Sequence, residues 1–328
     1  MQSALDTGGL TDPRRPDLPP RSDAVVSGRA RTFVVLKRNP WFWIGATMVG
    51  TMVILALLAP ILAPHDPLTQ FRSDGFSATN DPLGPTDKFP LGTDRLARDY
   101  LSRLLYGARV SLGIALIANT LSSIIGLVVG SVAGYVGTLR LRIPGTRRRI
   151  PIPVEAILMR LTDLALSFPV LLLAIALAAV VGPSFWLVIV IITSVLWAAT
   201  ARIIYSRVLV LRDAPFIEAA RAVGLRAPRI LRRQILPHIL PLTVVYGALG
   251  IASAVLFETT LSFLGSGVPG PTPTWGSMIS DHISYYQTDP RLTLLPGLAV
   301  MITVMGFTLL GDALRDALDP RAHPGGAG

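Results

Sequence analysis

Six stretches of this chain are long and apolar enough to cross a bilayer, and few folds are open to a chain with that pattern. Roughly 30 Å of hydrocarbon takes about 20 helical residues, and the dry interior obliges each crossing segment to pair its own backbone groups. The stretches lie near 41–62, 110–134, 161–182, 185–204, 242–264 and 293–311. Together they predict an all-α, polytopic membrane protein with six transmembrane helices. Composition agrees: 51% of residues are hydrophobic and 15% charged, and the mean hydropathy is +0.55, well outside the range of soluble domains.

Positive charge orients the spans. The tail 1–40 holds seven Arg and Lys, segment 136–160 six Arg and segment 201–241 eight Arg. The intervening segment 64–109 carries six positive residues offset by six Asp, and 265–292 has Arg291 alone. This asymmetry places both termini and 201–241 in the cytoplasm. The chain divides accordingly into a disordered cytoplasmic tail (1–35), a first span (36–63), an extracytoplasmic segment with an interfacial helix (64–109), a five-helix core (110–314) that includes the loop 205–241, and a cytoplasmic tail (315–328). The basic link 138–153, with three prolines, is either a topology determinant at anionic lipid or a partner contact.

The loop DAPFIEAARAVGLRAPRILRRQILPHILP (213–241) is the most distinctive stretch. It reads as two short helices around Gly224. Asp213 is suited to cap the first, Pro215 to open it, and Gly224 to end it in a left-handed conformation. Pro228 suits the start of the second, and Pro237 is expected to end it. Phe216, Ile217 and Ala220 form an apolar edge beside the basic one of Arg221, Arg226, Arg229, Arg232 and Arg233. Towards the other side, PLGTDRLARDYLSRLLYGARVSL (90–112) predicts a turn and then an amphipathic helix capped by Thr93 or Asp94.

Several chemistries are excluded. Without cysteine there is no disulfide, thiolate zinc site, iron–sulfur cluster or covalent haem. The histidines 65, 238, 282 and 323 have no ligand spacing, so no metal site is expected. Lys37 and Lys88 are the only lysines and neither follows glycine, so the chain has no Walker-type phosphate loop. If ATP drives the process, another subunit hydrolyses it.

The acids inside the spans, Asp163 and Glu258, are the default candidates for a translocation pathway, since charge at that depth is costly. Asp163 is also placed to pair with Arg160 on one helical face. Gly126, Gly130 and Gly134 leave a smooth stripe for a neighbouring helix, and Pro169 predicts a kink in the third span. Trp275, in the Pro- and Thr-rich segment 271–276, is either an interfacial anchor or a contact for a delivered substrate or its carrier.

The loop pattern Glu218-Ala219-Ala220, then Gly224, then Leu236-Pro237 resembles the EAA loop of membrane subunits of ABC importers. The segments 90–112, 159–184, 256–280 and 309–321 resemble, in the same order, the C-type permease subunit of peptide/nickel importers, with Ala97 where that family usually has glycine. The resemblance implies a type I importer permease fold in a prokaryotic plasma membrane. It also implies as partners a second related permease, two ATPase subunits that use ATP and Mg, and an extracytoplasmic substrate-binding protein; lipid surrounds the chain, and no nucleic acid or cofactor is bound by it. Phe216, Glu218, Ala219, Ala220, Gly224, Leu236 and Pro237 would then seat in the ATPase, while Asp94, Asp99 and Trp275 would face the binding protein. The chain itself would be no enzyme. Peptides are the expected substrates, with nickel chelates, opines and glutathione-like molecules as rivals. The competing class is an ion-driven transporter or channel using Asp163 and Glu258, which has no evident need for the loop.

Overall fold

The computed structural model describes residues 36–142 and 149–318. The reading of 1–35 as a disordered tail lies outside those residues, as does most of the tail 315–328. Helix α1 (Pro40–Leu57) starts on the side-chain cap of Asn39 and continues into the short α2 (Ala59–Leu62). The long α3 (Tyr100–Val136) leads to a two-stranded antiparallel ribbon, β1 (Leu139–Arg142) and β2 (Arg149–Ile152). Then follow α4 (Val154–Ser167), α5 (Val170–Val181), α6 (Phe185–Arg212) and α7 (Pro215–Ala222). Helix α8 (Ala227–Ile230) runs through a π-helical turn, Leu231–Ile235, into α9 (Leu236–Phe263). Helices α10 (Trp275–His282) and α11 (Arg291–Leu318) follow.

Among the described residues, five helices are long and apolar enough to span a membrane, and six spans result if α4 and α5 count as one. That pair meets at a bend of 82°. The expected kink is thus a break, and the third span begins at Val154, not near 161. Pro169 causes it: its ring cannot continue α4, so Phe168 turns extended and Pro169 becomes the cap of α5.

Helices α3 and α6 run parallel along the glycine stripe. A Cβ on Gly126 would lie 2.6 Å from the Thr200 Cβ, one on Gly130 2.9 Å from the Ile204 Cβ, and one on Gly134 2.8 Å from the Val208 Cβ. The two backbones therefore touch through hydrogen atoms alone, and close van der Waals contact drives helix association in lipid. A second glycine crossing joins α1 to α11, Gly45 lying against Gly306 and Leu310.

At one end of the bundle, residues 64–99 form a fixed layer where an amphipathic helix was expected. Asp94 does not cap a helix. Its carboxylate accepts the N–H groups of Leu96 and Arg98 at 2.8 and 2.9 Å, which curls 94–98 into a turn, and Ala97 takes φ +57°. That left-handed backbone favours glycine, and it is what breaks the helical path. Asp99 caps α3 instead, accepting the Ser102 N–H at 2.9 Å. Asp94 lies fully buried between Arg98 Nε (2.7 Å) and Arg103 Nε (3.2 Å). Arg291, at the start of α11, donates to the carbonyls of Leu83 (2.6 Å) and Leu91, and the Tyr100 hydroxyl donates to Leu292. Trp275 is also fully buried; its N–H groups donate to Ser111 Oγ and to the Leu104 carbonyl at 3.2 and 3.3 Å. In the same layer, burial holds the His282 imidazole below its ordinary range, and its Nδ1 lies 2.7 Å from the Met278 carbonyl.

Two outcomes follow. Gly130→Val drives a methyl into the α6 backbone and is expected to cost about 3 kcal/mol or more, whereas Gly113→Ala, where nothing lies within 4 Å, leaves thermal unfolding of the detergent-solubilised protein unchanged or slightly later. Asp94→Asn strands two buried guanidinium groups and is expected to cost about 3–5 kcal/mol. In the same assay Asp281→Asn, in the exposed pair with Arg95, costs under about 1 kcal/mol.

Candidate functional site

At the opposite end, α6 gives way to the charged loop. Pro215 opens α7 as expected, but Asp213 does not cap it: Ala214 is the cap residue, and Asp213 lies 3.7 Å from Arg212 Nε. Gly224 (φ +82°) closes the helix with two reverse bonds, its own N–H to the Arg221 carbonyl and the Leu225 N–H to the Ala220 carbonyl. This pairing satisfies the last carbonyls and turns the chain back.

Ile217 and Ala220 bury against Ile204 and Val208 of α6, and against Ile230, Ile235 and Ile239. Each fully buried isoleucine contributes about 1.5–3 kcal/mol, so α7 is mounted on α6 and α9 as one body. Pro237 does not end the second helix. It sits in the first turn of α9, and the helix passes through it because the π turn before it moves the bond of Leu236 N–H to the Leu231 carbonyl. A π turn relieves the clash that a proline ring makes with the carbonyl four residues earlier.

The face of α7 turned away from the bundle carries Glu218 and Ala219, both exposed, and ends at Val223, 83% exposed. Glu218 makes no ion pair among the described residues. Phe216 is partly exposed and stacks on His238 at 5.1 Å between ring centroids. Ala220 points into the protein's own core, so of the two alanines only Ala219 is on the free face. Leu236 is half-buried beside the isoleucines, and Pro237 is exposed. Arg229, Arg232 and Arg233 line a shallow basic hollow next to it.

The base of this unit is tied to two other helices, α3 and α4. Arg212 donates to the Gly134 carbonyl of α3 at 3.2 Å and lies 3.9 Å from Glu155 of α4. Tyr205 of α6 donates to the other Glu155 oxygen at 2.5 Å, and Arg221 lies over the Tyr135 ring at 5.4 Å. Nothing in the local sequence signals these links, because the partners are 50 or more residues apart.

The remaining candidates separate. Glu258 does not line an open pathway: it is fully buried in α9, accepting the Ser262 hydroxyl at 2.8 Å beside Ser111 and Thr274. Hydroxyl groups of Ser262, Ser111 and Thr274, from two helices and a loop, surround its carboxylate in place of an open pathway. Asp163 pairs with Arg202 of α6, not with Arg160, and the two side chains are 50% and 55% exposed. Arg202 was legible only as an arginine just inside a span whose end was placed at 204; the helix continues to Arg212. Asp94, Asp99 and Trp275 are all buried, so none offers a side chain for direct contact with a carrier protein. They shape the layer that such a protein would meet.

Comparison with known proteins agrees with this architecture. The chain is 35% identical to the dipeptide transport system permease protein DppC of Alkalihalophilus pseudofirmus, over 93% of this chain and 95% of that one. It is 36% identical to the di/tripeptide transport system permease protein DppC of Pseudomonas aeruginosa (84% and 87% covered) and 33% identical to the glutathione transport system permease protein GsiD of Pectobacterium atrosepticum (87% and 92%). The fold matches a chain of the MetNI methionine ABC transporter in an inward-facing conformation, with a TM-score of 0.52 at 20% identity over 66% of this chain and 97% of that one. Residues 30–82 match the N-terminal transmembrane domain of oligopeptide transport permease C. Residues 126–324 match the binding-protein-dependent transport system inner membrane component, and the chain belongs to that family.

Proposed function

We propose that this chain is a permease subunit of an ATP-driven peptide importer, with α7 as the joint to an ATPase subunit. The observation that carries this reading is the mounting of α7. A short helix with an exposed Glu218-Ala219 face is fixed by Ile217 and Ala220 to the ends of two spans, so force applied to it moves α6 and α9. The ATPase groove would contribute acidic or polar partners for the arginines around it. Peptides are favoured as cargo by the dipeptide and di/tripeptide permeases among the relatives.

The partners in this reading are a second permease, two ATPase subunits that bind ATP and Mg, and a substrate-binding protein on the far side. This chain binds no nucleotide and catalyses no reaction. Both termini and α7 lie in the cytoplasm, as the arginine distribution supports. Residues 64–99 and 264–290 then face outward. ATP-driven closure of the ATPases would rock the bundle between two states, the loop biasing one equilibrium from both sides. The half-exposed Asp163–Arg202 pair, on the broken span and α6, would line the route between the permeases.

The test is uptake and ATP hydrolysis in reconstituted vesicles. Glu218→Ala and Gly224→Val are expected to weaken association with the ATPase at least about tenfold, a change of about 1.4 kcal/mol, and to lower uptake in proportion. Thermal unfolding of the isolated Glu218→Ala subunit should not change, since the side chain is exposed. Full ATP-coupled uptake in both variants would remove α7 from the mechanism. Uptake that persists without any ATPase would replace ATP by an ion gradient.

A further inference from the structure

A cavity of about 440 Å³ lies between the 64–99 layer, the loop after α9 and helix α10. Arg95, Arg98 and Arg103 line it, and Asp281 is the one acidic residue in the lining. Arg95 is paired with Asp281 at 3.0 Å. Arg103 is held by Asp94 and by the carbonyls of Pro67 and Pro271. Arg98 differs from both. It is 5% exposed, its Nε is fixed on Asp94 at 2.7 Å, and its two terminal nitrogens donate to no protein group among the described residues although the residue lines the cavity.

A guanidinium anchored at Nε presents its two remaining nitrogens as a planar fork, which matches the two oxygens of a carboxylate. The facing wall strengthens the same preference. It is the loop Gly265–Thr272, in which the N–H groups of Gly267, Val268, Gly270 and Thr272 donate to no backbone acceptor among the described residues. Three arginines against Asp94 and Asp281 leave one positive charge over. The site is therefore rich in donors, positive and nearly dry at its base, where charge-assisted bonds are strongest.

We propose that this cavity is a carboxylate site that takes the free C-terminal carboxylate of a peptide entering the permease. The source of the carboxylate rests on the peptide reading above; the chemistry of the site does not.

The absence of cysteine makes the test direct. Thr272 lines the cavity and is exposed, so Thr272→Cys puts one thiol of this chain at the rim. In the complete transporter in vesicles, modification of that thiol is followed by mass spectrometry, with an anionic sulfonate reagent and a cationic trimethylammonium reagent, each scaled to free cysteine. Focusing by the arginines is expected to favour the anionic reagent about tenfold. N-acetyl-dialanine should slow modification, and its C-terminal amide should not. Arg98→Gln should remove both effects; Arg98→Lys, which keeps the charge and the pair with Asp94, should retain the reagent bias and lose the protection.

Equal rates for the two reagents, or equal protection by acid and amide, would overturn the site. Protection by the binding protein alone, with none from the acid, would overturn the peptide as the source. Peptide uptake in the same vesicles separates this proposal from the function it rests on. Uptake without acid-specific protection rejects the cavity and leaves the substrate standing; acid-specific protection without uptake keeps the cavity and rejects the substrate.

Discussion

Backbone contact between α3 and α6 is the constraint from which the rest of this structure follows. Lipid removes the hydrophobic drive for helix association, so the bundle depends on surfaces that allow close approach. Gly126, Gly130 and Gly134 supply one along three turns of α3. Because α6 is held there in parallel, its end at Arg212 is fixed next to the end of α3. Everything mounted on that end inherits its position, including α7, the Arg212–Glu155 contact and the start of the broken span.

Three different means of holding the fold therefore meet in one chain. Within the spans, packing and hydroxyl bonds between helices, such as Ser122 of α3 to the Thr193 carbonyl of α6, hold the helices. Beyond them, at the loop end, water is present and ordinary hydrophobic burial of Ile217, Ile230, Ile235 and Ile239 takes over. The layer at 64–99 uses a third means, the buried carboxylate of Asp94 between Arg98 and Arg103 and that of Asp99 on Ser102. Such pairs stabilise little against an apolar alternative, but losing one partner is costly. That layer is consequently stiff, and it can hold Arg98 with its fork free.

Much of this was legible in the sequence. The glycine stripe and the Gly224 turn depend on local rules and appear where those rules put them; the bend at Pro169 is a break and not a kink, the third span starts earlier than expected and the fourth ends later. The helix ends near proline were less legible. Pro237 has the residue type of a stop, yet the π turn before it removes the clash, and no local pattern announces a π turn. The segment 90–99 misled for a related reason. Leu96, Tyr100 and Leu104 have helical spacing, but the Asp94 carboxylate competes for the backbone N–H groups and Ala97 adopts the left-handed conformation. Outward-facing roles for Asp94, Asp99 and Trp275 came from the family resemblance; their burial, with Trp275 bonded across 160 or more residues to Ser111 and Leu104, is not visible in local spacing. Asp163 chose Arg202 over Arg160 because α6 packs on that face of α4.

The central claim is that α7 and the end of α9 move as one rigid piece with the bundle. Spin labels on Val223→Cys and Leu240→Cys, both exposed, would report their separation within this chain by pulsed electron resonance. The measurement compares the assembled transporter without nucleotide and trapped with ATP. The distance within the chain is expected to stay unchanged while the distance from Val223→Cys to the equivalent helix of the second permease changes. A shift of several ångströms between the two labels within this chain would show that α7 hinges on its own mount, contradicting the rigid joint.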